Sequence, residues 1–130
     1  MSRRVVVVED DASLGRAMER VLRVGGLDPR VFGSAELLLA SSEASSACCM
    51  VLDVQLPGLD GFALHDRLRE TGFTGPIIFA TAFDDREART AAEQRSPAAF
   101  MSKPFTGQSL LAAVREALSH SPADPPFRLA

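Results

Sequence analysis

An α/β domain built on a parallel sheet is the fold class that this 130-residue sequence predicts. Three observations favour it: five short apolar segments occur along the chain, a helix-type pattern follows each one, and polar or glycine-containing turns separate them. A chain of this length fits one domain, and a composition of 46% hydrophobic and 24% charged residues permits a packed core.

The first strand is predicted over Val5–Val8, a β-branched apolar run that ends at Glu9 and Asp10. Asp11 then suits the N-cap of a helix over residues 12–24, where apolar residues recur at helical spacing before a pair of glycines. Two acids therefore follow the carboxyl end of this strand directly.

The second strand–helix unit is shorter. A brief strand is predicted over Arg30–Phe32, and Ser34 is a suitable N-cap for a helix that contains Leu37–Leu39. Residues 40–47 consist mainly of Ser and Ala, so we expect a frayed helix end and a loop there.

The third strand is predicted over Cys48–Leu52, and Asp53 follows it. Residues 56–61 (Leu-Pro-Gly-Leu-Asp-Gly) form a turn-rich loop, and a helix from Phe62 ends near Gly72. The two adjacent cysteines suit a buried strand in a reducing compartment better than a disulfide or a metal site.

The fourth unit begins with a strand over Pro76–Ala80, which ends at Thr81. Asp84, followed three residues later by Glu87, resembles a capping box and predicts the start of a polar helix that reaches about Arg95.

The fifth unit has a short strand over Ala98–Met101, and Lys103 follows it. Thr106 is the expected cap of a last helix that ends near Leu118, with apolar residues along one face. Residues 119–130 are rich in Ser and Pro and predict a tail or the start of a linker.

Five such units predict a single (βα)5 domain over residues 1–118 with helices on both faces of the sheet. Right-handed crossovers favour the flavodoxin-like strand order 2-1-3-4-5, in which ligands bind at the carboxyl ends of the strands. The side chains expected at that edge are Glu9, Asp10, Asp53, Thr81 and Lys103.

These residue types at one edge indicate phosphoryl chemistry. Close carboxylates raise one another's pKa unless a cation lies between them, and oxygen ligands at an open rim suit Mg²⁺. An aspartate beside Mg²⁺ can attack a phosphoryl group, while a hydroxyl and an ammonium stabilise the transferred charge. Lys103 is the one lysine among the 14 Lys and Arg residues, which singles it out.

The same positions carry motifs that resemble those of CheY-like response-regulator receiver domains of two-component signalling. The motifs are Val-Val-Glu-Asp at 7–10, Leu-Asp at 52–53, Leu-Pro-Gly-Leu-Asp-Gly at 56–61, Ala-Thr-Ala at 80–82 and Phe-Met-Ser-Lys-Pro-Phe at 100–105. The resemblance runs from about Arg4 to Leu118. Residues 31–36 (Val-Phe-Gly-Ser-Ala-Glu) together with residues 103–105 are similar to the FixJ/NarL-type branch.

The resemblance implies a phosphorylation site with bound Mg²⁺. Asp53 would accept the phosphoryl group and contribute to the metal site. Asp10 would bind the metal directly, and Glu9 would act mainly through water. Gln55 would offer its backbone carbonyl to the metal.

The resemblance also implies the residues that respond to phosphorylation. Thr81 and Lys103 would each bind a phosphoryl oxygen. Phe100 matches the aromatic switch position, whose ring moves as Thr81 is drawn inward. The Lys103–Pro104 bond resembles the cis peptide of the family. Ser96-Pro97 departs from the Gly-Ala pair of many relatives, which makes the switching step the least constrained part of the comparison.

The implied function is that of a phosphorylatable signalling receiver rather than an enzyme. A sensor histidine kinase or a phosphotransfer protein would supply the phosphoryl group, and the face of helix 4, strand 5 and helix 5 would then act on a downstream output protein or domain. A phosphorylation-dependent homodimer is a further hypothesis. Two alternatives stay open: a receiver-like interaction module that is not phosphorylated, and the N-terminal fragment of a DNA-binding transcriptional regulator.

Composition sets further limits. A formal net charge of −3 argues against direct nucleic-acid binding by this chain. No apolar run approaches the roughly 20 residues that span a bilayer, and the start of the chain lacks a signal-peptide pattern. We therefore expect a cytoplasmic protein without a membrane partner.

Overall fold

The computed structural model describes residues 3–119 and has the predicted alternation of strands and helices. The strands are β1 (Arg4–Val8), β2 (Asp28–Phe32), β3 (Cys49–Asp53), β4 (Ile77–Thr81) and β5 (Ala99–Ser102). The helices are α1 (Ala12–Val24), α2 (Ala35–Ala40), α3 (Gly61–Glu70), α4 (Arg86–Glu93) and α5 (Gly107–Ser119), with a short 3₁₀ turn at Glu43–Ser46. The predicted tail over 119–130 lies outside the described residues except for Ser119, the last residue of α5.

The five strands form one parallel sheet in the order β2-β1-β3-β4-β5, which confirms the predicted topology. All four residues of Val5–Val8 are buried because helices cover both faces. Val6 and Val8 pack with residues of α2, α3 and α4, whereas Val5 and Val7 pack with residues of α1 and α5. The alternation of side chains along β1 thus separates the core into two layers.

Three of the N-cap residues predicted from the sequence are confirmed, and one is wrong. The carboxylate of Asp11 and the hydroxyls of Ser34 and Thr106 accept hydrogen bonds from backbone N–H groups in the first turns of α1, α2 and α5. The N-cap of α4 is Asp85, so the predicted capping role of Asp84 is wrong. Asp84 instead pairs with a side chain inside the helix, which is described with the site below.

Strand β2 begins two residues earlier than predicted and includes a proline. The N–H of Asp28 donates to the carbonyl of Arg3 at 3.0 Å, toward β1. Because alternate residues of a strand face opposite neighbours, the nitrogen of Pro29 faces the open edge of the sheet, where its missing N–H breaks no hydrogen bond.

Two other expectations concern the cysteines and the membrane. Cys49 is fully buried in β3, and burial raises the pKa of its thiol to about 12, which agrees with a structural role. Between residues 3 and 119 no helix combines the length and the apolar character that crossing a bilayer requires.

Candidate functional site

Three carboxylates meet at the carboxyl edge of the sheet. Strand β1 delivers Glu9 and Asp10, and the neighbouring strand β3 ends at Asp53. One oxygen of each group lies within 4.8 Å of the others. Glu9 and Asp53 are buried and Asp10 is exposed, so the cluster is open to solvent on one side.

Lys103 joins the two buried carboxylates. Its Nζ lies 2.7 Å from Oε1 of Glu9 and 3.2 Å from Oδ2 of Asp53. Such charge-assisted contacts are strong in a partly dehydrated site. A single cation therefore faces two buried anions, with the third acid at the rim.

The charge imbalance is visible in the acid–base properties of the pocket. Burial, and then the charge of Glu9, raise the pKa of Asp53 to about 7, although Lys103 opposes the shift. Burial alone would lower the pKa of Lys103, but the hydrogen bond to Glu9 and the charge of Asp53 raise it above its usual value. The pocket would be stabilised by a further positive charge beside Asp53.

The loop after β3 fixes the acid in place. The N–H of Gln55 donates to Oδ1 of Asp53 at 3.1 Å. The N–H of Gly61 donates to the carbonyl of Val54 at 3.0 Å, which brings the start of α3 against the end of β3. A Cβ at position 61 would lie 2.2 Å from the carbonyl oxygen of Asp53, so this close approach requires glycine.

The hydroxyl of Thr81 is fully buried at the end of β4 and has two partners. It donates to Oε1 of Gln55 at 2.6 Å and accepts from the N–H of Phe83 at 3.0 Å. The family resemblance implies only a backbone role for Gln55, and no sequence pattern indicates this side-chain contact. Gln55 thereby links the acidic pocket to Thr81: its backbone N–H binds Asp53, and its side-chain oxygen binds the Thr81 hydroxyl.

The aromatic residue of β5 is partly covered by a cation. The guanidinium of Arg89 lies 5.0 Å from the ring centroid of Phe100. The same guanidinium pairs with both carboxylate oxygens of Asp84, at 2.6 and 2.8 Å. Asp84 also accepts a hydrogen bond from the hydroxyl of Ser102 on β5. This arrangement, which the sequence analysis also missed, joins α4 to β5 around the Phe100 ring.

The predicted site residues fall into three groups. The acidic pocket contains Glu9, Asp10, Asp53 and Lys103. Thr81 adjoins it through Gln55. Phe100 lies inside β5, opposite Phe79 of β4 and two residues before the strand ends at Ser102. The Lys103–Pro104 peptide bond is cis.

The donor atoms of the pocket fit Mg²⁺. Carboxylate oxygens are hard ligands, and Mg²⁺ commonly binds through one or two carboxylates while it keeps several waters. The exposed position of Asp10 leaves room for such waters, and the raised pKa of Asp53 reflects the charge that a divalent cation would compensate.

A sheet of this order with an acidic pocket and a lysine at its carboxyl edge defines a signalling receiver module. The chain belongs to the family of response regulator receiver domains, whose family model matches residues 5–115. This confirms the resemblance seen in the sequence. Domains of this kind are signalling modules rather than classical enzymes, and they bind Mg²⁺ at an acidic cluster of the type found here.

Similar proteins include two bacterial regulators. Nodulation protein W of Bradyrhizobium diazoefficiens is 41% identical over 110 residues, which cover 85% of this chain and 48% of that protein. The transcriptional regulatory protein TdiR of Thauera aromatica is 36% identical over 115 residues, which cover 88% of this chain and 51% of that protein. The chain thus spans about half the length of these relatives.

The fold has close structural counterparts. The BeF3-activated receiver domain of DrrB superposes with a TM-score of 0.84 at 26% sequence identity, over 92% of this chain and all of that chain.

Proposed function

We propose that Asp53 accepts a phosphoryl group from the phosphohistidine of a sensor histidine kinase or a phosphotransfer protein. A carboxylate oxygen of Asp53 forms the new P–O bond, the P–N bond of the donor breaks, and the imidazole leaves with the electron pair. The observation that carries the proposal is the position of Asp53, buried between Glu9 and Lys103 at the carboxyl edge. Membership of the receiver family supports it.

The surrounding residues stabilise the transferred charge. Mg²⁺ held by Asp10, Asp53 and the backbone carbonyl of Gln55, with Glu9 acting through water, would neutralise negative charge on the phosphoryl group. Lys103 already lies 3.2 Å from Asp53, so its ammonium can bind a phosphoryl oxygen after a small movement.

Thr81 carries the chemical change to the surface. Its hydroxyl is held by Gln55 and would have to leave that partner to reach a phosphoryl oxygen. Phe100 would then move into the space that Thr81 vacates, and the face of α4, β5 and α5 would change toward its output partner. Arg89 covers the Phe100 ring and therefore restrains this movement in the unphosphorylated chain.

The downstream partner is an output protein or domain, and the product of the reaction is a signal. Control of transcription is the second candidate role, because TdiR is named a transcriptional regulatory protein and the match covers about half of it. We assign the receiver to residues 1–118 and a linker or tail to residues 119–130. The cytoplasm is the proposed compartment, since its reducing conditions suit a buried thiol such as that of Cys49.

Intact-mass spectrometry tests the phosphorylation. The chain is incubated with acetyl phosphate and either Mg²⁺ or EDTA, and we expect a gain of one phosphoryl group that requires Mg²⁺. Asp53→Asn should abolish the gain. Glu19→Gln, which removes an exposed acid of α1, is the matched control and should keep it.

Two results would contradict the proposal. One is a wild-type chain that gains no phosphoryl group from acetyl phosphate or from a phosphohistidine donor. The other is a gain that persists in Asp53→Asn. In parallel, calorimetric titration with Mg²⁺ alone should show weaker binding to Asp10→Asn than to the wild type.

A further inference from the structure

A groove opens beside the acidic pocket, between the loop after β3 and the first half of α4. Its volume is about 640 Å³, within the range of protein ligand pockets, and it is widely open to solvent. Leu56 and Phe62 line it from the β3–α3 side, and Ala88 lines it from α4. Phe83 stands on the loop that follows β4 and completes the wall.

Phe83 leaves an aromatic ring in water at this groove. Its exposed fraction is 65%, although most large apolar side chains of the described residues are buried. A ring of this size contributes to binding when a partner covers it, and exposed apolar surface with a polar rim is typical of protein docking sites.

The rim of the groove is acidic. Asp60, Asp85 and Glu87 lie along it, and the guanidinium of Arg95, 4.9 Å from the Phe62 ring centroid, is already paired with Asp66. Asp60 and Asp85 each use one oxygen to cap a helix, by accepting from the N–H of Ala63 and Ala88. Caps of this kind fix the two charges in position without neutralising them.

We propose that this groove docks a basic segment of a partner protein that carries an aromatic or branched aliphatic anchor. The anchor fills the apolar groove against Phe83, and flanking Lys or Arg side chains meet the acids of the rim. The site lies on the α3–α4 side of the phosphorylation pocket and shares only α4 with the output face proposed above.

Thr81 connects the two walls of the groove. Its hydroxyl holds the side chain of Gln55 on one wall and the backbone of Phe83 on the other. If the hydroxyl donates to a phosphoryl oxygen instead, which rests on the proposed function, its bond to Gln55 is lost and the groove is less well organised. The partner should therefore bind the unphosphorylated chain more tightly than the phosphorylated one.

Peptide titrations followed by NMR test the docking site. The probe is acetyl-Lys-Arg-Leu-Phe-Lys-Arg-amide, added to the ¹⁵N-labelled chain at low salt. Two control peptides replace Leu-Phe by Ser-Ser or the four basic residues by Glu. We expect saturable shifts at the backbone amides of Leu56, Phe83 and Ala88, and about tenfold weaker binding for each control peptide.

Variants locate the binding surface. Phe83→Ser should weaken the probe about tenfold and Glu87→Lys about threefold. Leu37→Ser removes another exposed apolar side chain and Glu70→Lys makes the same charge change at the far end of α3; both should bind as the wild type does. The spectra themselves report whether each variant is folded.

Several outcomes would overturn the proposal. These are shifts centred away from the groove, equal binding of the acidic peptide, and a folded Phe83→Ser that binds normally. Shifts that depend on protein concentration without peptide would assign the surface to a second copy of this chain instead.

The proposed coupling between the Thr81 hydroxyl and binding in the groove can be tested without phosphorylation. Thr81→Val removes both tethers and should weaken the probe about threefold with no phosphodonor present. Acetyl phosphate with Mg²⁺ should also weaken binding of the probe to the wild type, once mass spectrometry shows the phosphoryl group. A phosphorylated chain with unchanged affinity refutes the coupling, whereas absence of the phosphoryl group counts against the proposed function and leaves the peptide results to decide the docking site.

Discussion

Helices α1 and α4 begin alike but are held to the sheet in different ways. Each starts after an aspartate, Asp11 or Asp85, whose carboxylate caps the first turn. The 13-residue α1 then buries Met18 and Leu22 in the core layer shared with α5. The eight-residue α4 buries Ala92, and its remaining residues are half-buried or exposed.

Ion pairs near the two ends of α4 replace the missing apolar contacts. Arg89 pairs with Asp84 near the start, and Arg95 pairs with Asp66 of α3 beyond the end, through two hydrogen bonds of 3.0 Å. Apolar burial is lost only when the helix leaves the core, whereas exposed ion pairs are weak and can be exchanged one at a time. The comparison predicts that displacing α4 costs less free energy than displacing α1.

The largest expected difference between the helices is in the free energy of unfolding. Leu22→Ala in α1 should lower it by about 2–5 kcal/mol, because a fully buried side chain leaves a cavity. Ala92→Gly in α4 should cost only about 1 kcal/mol. Urea unfolding measures both values, and equal losses would break the comparison.

The free energy of unfolding should depend on pH through His65, a buried residue of α3. Its neighbour Asp66 is the partner of Arg95, which lies just beyond the end of α4. The ring of His65 lies 5.6 Å from Phe79, its Nδ1 is 2.9 Å from Asp66, and its buried Nε2 has no hydrogen-bond partner among the described residues. Burial lowers the pKa of His65; the Asp66 carboxylate opposes this shift, while the positive charges of Arg69 and Arg95 add to it.

The sign of the effect follows from proton uptake. Because the folded pKa of His65 lies below its unfolded value, the unfolded chain binds the proton first as the solution is acidified. The stability that neutral His65 contributes to the folded chain is fully present above about pH 6.5. It is lost as the pH falls through the folded pKa of His65, and the free energy of unfolding drops by at most about 1.4 kcal/mol per pH unit. Unfolding of the wild type and of His65→Gln between pH 7.5 and 5.5 should show the wild type losing stability relative to the variant as the pH falls; a constant difference would contradict the assignment.

Removing the ion pair between Arg95 and Asp66 should change hydrogen exchange in α4 more than the free energy of unfolding of the whole domain. Arg95→Met breaks the pair with Asp66 and the contact of the guanidinium with the Phe62 ring at 4.9 Å. We expect a loss of about 1 kcal/mol or less in the free energy of unfolding, but faster hydrogen exchange across α4. The matched variant Arg23→Met breaks an exposed pair with Glu19 on α1 and should leave exchange in α1 unchanged. Unchanged protection of α4 in Arg95→Met would show that its anchoring lies elsewhere.

The smallest expected effect is a gain in stability after α4. Ser96 has φ +49°, in the left-handed region that glycine adopts without strain. Ser96→Gly should raise the free energy of unfolding by about 0.5 kcal/mol, since relief of strain exceeds the added entropy of the unfolded chain. Ser96→Ala keeps the strain and should give no gain. A lower melting temperature for the glycine variant would contradict this account.

The layout of the fold could be predicted from the sequence because it depends on repeating patterns. The apolar run Val5–Val8, the helix caps and the right-handed crossovers determine the strand order and both core layers. The same order brings Asp53 beside Glu9, since β1 and β3 are neighbours. Convergence of the acids is therefore a consequence of topology that needs no knowledge of side-chain positions.

The side-chain partners could not be predicted in the same way. Asp84 and Asp85 are adjacent acids, and the sequence does not show which one caps α4. Asp84 is drawn away by Arg89 and by Ser102, which the register of β4 and β5 brings to the same edge. The hydrogen bond from Thr81 to Gln55 likewise depends on side-chain rotamers and on the positions of two separate loops. No local sequence pattern predicts it.

The proline of β2 has a consequence for self-association. A strand from another molecule could extend the sheet at β2 or at β5, and at the β2 edge the nitrogen of Pro29 faces outward without a hydrogen to donate. The charged side chains of Asp28 and Arg30 on either side would also oppose a close neighbour. The β2 edge is therefore protected against pairing with a strand of another molecule.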